Sequence, residues 1–92
     1  MRLVGASMEP ALRDGDWLKL QPGPAQPGDV VAYLREGELV THRLRRFDEA
    51  GRAVTRGDAL TMEDPPVMEL LGRVVAVRRV SRLARWLRRR WS

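Results

Sequence analysis

The chain contains no cysteine. That rules out disulfide staples, thiolate metal sites and a cysteine nucleophile. Histidine and lysine occur once each, as His42 and Lys19, and every other cationic side chain is an arginine. Arginine holds its proton at physiological pH and cannot serve as a base, so a nucleophile needing a nitrogen base has two candidates. Long apolar runs are also missing. No stretch approaches the ~18 apolar residues of a membrane span, and the N-terminus lacks the apolar segment of a secretory leader. The sequence therefore predicts a cytoplasmic or peripheral membrane protein.

What is present fits one small domain. Ninety-two residues are too few for two independent cores, and an apolar content of 43% is that of a globular chain. Stability is expected to be modest, with a ligand, partner or surface adding to it. The net charge of +5 is unevenly spread. The last fifteen residues, Arg78 to Ser92, hold seven arginines and no acid, which leaves ten basic against twelve acidic residues in the body. The basicity belongs to a tail.

Turns and short strands alternate along the chain. Met1 to Val4 reads as a short strand or extended entry, followed by turns and one turn of helix at Ala11-Leu12. Asp14-Gly15-Asp16 reverses direction before the strand Trp17 to Leu20. Residues 21–28 hold three prolines and two glycines and read as a loop. Asp29 to Arg35 and Glu38 to Leu44 form a hairpin about Glu36-Gly37, which places His42 opposite Val31 on the apolar face with Val40 and Leu44. A looser hairpin follows around residues 48–51, then a polar loop from Gly57 to Pro66. Val67 to Val80 reads as strand, with Gly72 as a bulge or bend. The pattern predicts a mostly β domain over residues 1–79, a small partly open barrel or paired antiparallel sheets. Apolar residues at helical spacing predict a basic amphipathic helix over residues 80–92.

The stretch Gly5-Ala6-Ser7-Met8-Glu9-Pro10 places a hydroxyl between a permissive glycine and a rigid proline. Serine is a poor nucleophile until a base takes its proton. An imidazole titrates near neutrality without help, whereas a lysine must first be desolvated. Taken with Thr41-His42-Arg43, Asp14-Gly15-Asp16, Pro27-Gly28-Asp29, Gly57-Asp58 and Asp64, in that order, the chain resembles the S24/S26 serine peptidases. That superfamily includes signal peptidase I and the self-cleaving repressors, and the resemblance covers about residues 5–77. It rests on the joint occurrence of the motifs.

The resemblance implies a nucleophile at Ser7 and a base immediately before Arg43. Bacterial signal peptidases and the repressors carry lysine there. The archaeal and endoplasmic-reticulum branch carries histidine, as this chain does. It further implies an acidic partner for the imidazole at Asp58 or Asp64; Asp64 is the preferred one, with Asp58 shaping the turn or supporting it from behind. The natural oxyanion donor is the Ser7 amide, framed by Gly5 and Pro10; because Gly5 stands where some relatives have a serine, a backbone-only hole or another donor is implied. Ala11 and Ala59 replace a usual threonine and asparagine. A signal peptidase of the usual kind has a membrane anchor before the serine motif, where this chain has six residues.

Plainer readings compete. Ser7 can cap a turn, His42 can be a satisfied core histidine, and Asp64 before two prolines can start a turn. The function expected is a serine endopeptidase acting on a leader, signal or precursor peptide, with no metal or organic cofactor. The alternative is a non-enzymatic regulatory or partner-binding module on the same fold. The tail from Arg78 to Ser92 suits an anionic membrane surface, packing on the domain, or, less well, nucleic acid.

Overall fold

A computed structural model describes residues 1–79 of the chain; the amphipathic helix expected over 80–92 lies outside the described residues. The central hairpin follows from its turn. Glu36 and Gly37 both take positive φ, 52° and 81°, the left-handed pair that a tight hairpin turn matched to strand twist requires. The flanking segments become β2, Val30–Arg35, and β3, Glu38–Phe47. Arg35 pairs with Glu38 and Val31 with His42, the register expected from the turn.

After a turn in which Asp48 accepts hydrogen bonds from the amides of Ala50 and Arg52, β4 returns as Ala53–Arg56. The outer strands are non-adjacent in sequence. In chain order β1 is Trp17–Gln21 and β5 is Gly72–Arg78. β5 inserts between β1 and β2, giving one antiparallel sheet in the order β1-β5-β2-β3-β4. The mostly β architecture is thus as expected, realised as a single open five-stranded sheet.

Two details differ from the sequence reading. The last strand begins at Gly72, because Pro65 and Pro66 lack amide donors and Val67 makes only a single bridge to Ala53. Nor is Gly72 the bulge. Lys19 pairs with Ala76 and Leu20 with Val74, so the irregularity falls at Val75. Gly72 instead allows close approach, since a Cβ there would lie 2.9 Å from the carbonyl oxygen of Gln21. At the N-terminus, Met1 to Val4 takes the second of its two expected forms, an entry segment with one bridge between Arg2 and Trp17 and no strand.

Two apolar clusters hold the sheet. Leu3, Met8, Leu12 and Leu18 form one, backed by Met1, Val30 and Val74. Val31, Tyr33, Leu44 and Ala53 form the other, backed by Val40, Val67 and Leu70 among others. The first anchors the turn that carries Ser7, through fully buried Met8; the second lies on the sheet face that carries His42.

Candidate active site

The serine turn is fixed from several sides. Gly5 has φ of 100°, a conformation side chains disfavour, and its amide donates to Asp14 Oδ1 at 2.9 Å. The amide of Glu9 donates to the carbonyl of Ala6, and that of Leu12 to the carbonyl of Met8, closing one helical turn after the serine. The Ser7 carbonyl accepts the amide of Ala59 at 2.8 Å, and Met8 Sδ accepts that of Asp58 at 3.4 Å. Because Ala59 acts through its backbone, the asparagine expected from the resemblance is not needed for this contact.

β3 delivers the imidazole. Strand alternation sends His42 to the apolar face, where it is 9% exposed. Its Nε2 lies 3.0 Å from Ser7 Oγ and its Nδ1 lies 2.6 Å from Asp64 Oδ2. An ionised carboxylate only accepts, so Nδ1 carries the proton and Nε2 is left to accept from the serine hydroxyl. The three residues brought together by sequence reasoning therefore form one hydrogen-bonded line. Lys19, the other candidate base, is exposed on β1 opposite Ala76 and takes no part in that line.

Asp64 and Asp58 are separated by the fold. The amide of Asp64 donates to the carbonyl of Thr55 at 2.7 Å, which lays the loop after β4 against the sheet. Asp58 meets Arg43, with Nε and Nη2 donating to its two oxygens at 2.9 and 2.8 Å, while Arg43 Nη1 donates to the carbonyl of Gly28. The hydrogen bonds from Arg43 hold the Asp58 carboxyl below its ordinary value and, reciprocally, raise the Arg43 guanidinium. A carboxyl depressed in the folded state contributes stability above its unfolded pKa and loses it as pH falls through the lowered one. At neutral pH this two-pronged pair clamps the turn that grips Ser7. Two partners of Asp64 carry no signature in the sequence: the hydroxyls of Thr55 and Tyr33, 2.7 and 3.3 Å from Oδ2. The hairpin register already puts Tyr33 and His42 on one face. Thr55 joins them only through the β3–β4 pairing of Leu44 with Thr55.

Gly57 lies against both reacting groups. A Cβ there would stand 2.7 Å from the Ser7 carbonyl oxygen, 3.0 Å from Leu60 Cδ1 and 3.1 Å from His42 Nε2. Leu60 can move; the serine backbone, held by Met8 in the core, cannot. Gly57→Ala is expected to displace the turn and lower any Ser7-dependent activity by about 100-fold, with thermal stability falling by ~1–3 kcal/mol. Activity equal to wild type in that variant would show that the close approach is unimportant.

A groove of about 310 Å³ runs up to the serine, lined by Met1–Val4 on one side and Leu39–His42 on the other. β4 pairs with β3 only from Arg43 onward. Among the described residues, then, the edge of β3 over 38–42 has no strand beside it on that side. No cluster of three His, Cys, Asp or Glu side chains among the described residues is arranged to hold a metal ion. No described helix is long and apolar enough to cross a membrane.

The chain is 40% identical over 83 residues to the LexA repressor of Frankia alni, a match covering 86% of this chain and 32% of that protein. The chain is similar to LexA repressors. Those of Streptomyces avermitilis and Streptomyces coelicolor are each 36% identical over 81 residues, covering 86% of this chain and 35% of theirs. The chain thus spans about a third of the length of the curated relatives it matches. No family model matches it, and no solved structure does. The names of these relatives favour the repressor side of the resemblance read from the motifs and lend nothing to the signal-peptidase side.

Proposed function

We propose that the chain is a serine peptidase domain of the S24/S26 type in which Ser7 attacks a peptide carbonyl. His42 takes the hydroxyl proton at Nε2 and returns it to the leaving amine, and water then releases the acyl group. Asp64 holds the imidazole in the required tautomer. The observation that carries this reading is the continuous line from Ser7 Oγ through His42 to Asp64, with contacts of 3.0 and 2.6 Å. A binding module has no use for such a line. Among the described residues the Ser7 amide meets no hydrogen-bond acceptor, so it is free to meet an oxyanion.

The groove supports a peptide substrate. An extended chain placed between Val4 and Leu39 would pair with the bare edge of β3 and bring a carbonyl to Ser7. A leader or precursor peptide is the substrate class we favour, and the arginines of Arg78–Ser92 would draw the domain to an anionic surface. The relatives' name favours a second reading, a regulatory module on the same fold. The resemblance also implies a lysine at the position of His42 in the repressors, so a peptidase here works with a different base from theirs.

Labelling with a fluorophosphonate decides between the readings. The probe reacts with a serine only when a neighbouring base activates it. We expect one adduct, on Ser7, that is lost in Ser7→Ala and in His42→Ala. An unlabelled, folded wild-type chain would leave the regulatory module as the function.

A further inference from the structure

We infer that Tyr33 and Thr55 are positioning residues that set the basicity of His42 through Asp64, an inference that rests on the peptidase reading above. Thr55 is 1% exposed and Tyr33 is fully buried, and their hydroxyl oxygens are 2.8 Å apart. Thr55 Oγ1 is also 2.7 Å from Asp64 Oδ2. Proton counting orders the chain. The carboxylate cannot donate, so the single hydroxyl hydrogen of Thr55 goes to Asp64, and its oxygen then accepts from Tyr33. The Tyr33–Asp64 distance of 3.3 Å is the longer of the two open to the phenol. Burial pushes the Tyr33 phenol above its ordinary value, so it stays a donor.

Two donors in this network therefore converge on one oxygen. Asp64 Oδ2 accepts from Thr55 and from His42 Nδ1, with Tyr33 behind Thr55. Donation from Thr55 draws negative charge away from the atom that stabilises the imidazolium. The carboxylate does not depend on Thr55's hydroxyl for its place. Its own amide is held by the Thr55 carbonyl, and Arg35 Nη2 donates to the carbonyl of Pro65, the next residue. Removing the hydroxyl thus leaves Asp64 where it is but makes it a stronger partner for the charged ring. Among the described residues, no other charged side chain hydrogen-bonds to the ring. From the neighbouring elements come Ser7 and Gly57, both neutral; Arg43 and Asp58 neutralise each other, Arg35 lies over the Tyr33 ring, and Arg2 lines the groove.

The test uses the fact that His42 is the only histidine, so its ring Cε1–H signal can be followed by NMR through a pH titration of the full chain. Thr55→Val is expected to raise the His42 midpoint above that of wild type by ~0.5–1 pH unit, and Tyr33→Phe by about half as much. Thr55→Ser, which keeps the hydroxyl, should return the midpoint to the wild-type position. A midpoint unchanged or lowered in the folded Thr55→Val or Tyr33→Phe chain overturns the inference, since a merely structural pair would affect thermal stability alone. Should Thr55→Val not fold, Tyr33→Phe decides by itself. Fluorophosphonate labelling of the same samples keeps the two ideas apart. An unlabelled wild-type chain refutes the peptidase reading, whereas the NMR midpoints report on Tyr33 and Thr55 whether or not Ser7 reacts.

Discussion

Ser7→Ala and His42→Ala are each expected to lower peptide hydrolysis by about 1000-fold or more, with the double variant no worse than either single one. The non-additivity is the informative part. Ser7 Oγ and His42 Nε2 are in contact at 3.0 Å; on the proposed mechanism they act as one unit, so removing either leaves nothing for the other to do. The measurement is kcat/KM on a mixed peptide library, with thermal midpoints as the control for folding. Lys19→Ala should match wild type, because its side chain lies on β1 away from the serine. The pH dependence gives a second handle. Activity should rise with the loss of one proton, at the same pH where NMR shows His42 losing it. Additive losses in the double variant, or a rise that does not track His42, would assign the base elsewhere.

The parts of this site legible in the sequence were those set by local chemistry. Glu36-Gly37 dictates its own turn, and from that turn the register and the facing of His42 follow residue by residue. Scarcity of nitrogen bases narrowed the candidate base to His42 or Lys19, while Ser7 was singled out by its motif and His42 was favoured by the resemblance. Less legible was whatever depends on long-range closure. The pairing of His42 with Asp64 spans 22 residues and was reached only through the resemblance; that of Arg43 with Asp58 spans fifteen and has no local signature. The same holds for β5, whose insertion between β1 and β2 places residues 72–78 beside residues 17–21. The apolar run from Val67 misled for a physical reason: hydrophobicity marks burial, and Val67 and Leu70 are partly buried against the second cluster without belonging to a strand. Thr55 was hidden by its ordinariness, threonine being one of the residues enriched in strands.

Asp64→Asn is expected to lower kcat by about 1000- to 10000-fold at neutral pH while moving the thermal midpoint by only a few degrees. Asparagine has nearly the shape of aspartate and can keep a contact with Thr55, so packing is preserved. It differs in being neutral and in presenting an amide donor. Turned one way, its NH₂ faces His42 Nδ1 and favours the tautomer with the proton on Nε2, which then cannot accept from Ser7. Turned the other way, its oxygen accepts from Nδ1 but offers no charge to the imidazolium that forms during attack. Either orientation withholds something the reaction needs, so the loss does not hinge on which is adopted. The His42 midpoint should fall in this variant, opposite in sign to the rise expected for Thr55→Val, because here the stabilising charge is removed and there it is freed. Asp58→Asn supplies the contrast. It loosens the clamp from Arg43 on the turn that holds the Ser7 carbonyl, so it should lower the thermal midpoint and disturb the His42 titration little. Were Asp58→Asn to shift His42 and Asp64→Asn to leave it in place, the two aspartates would have to exchange roles.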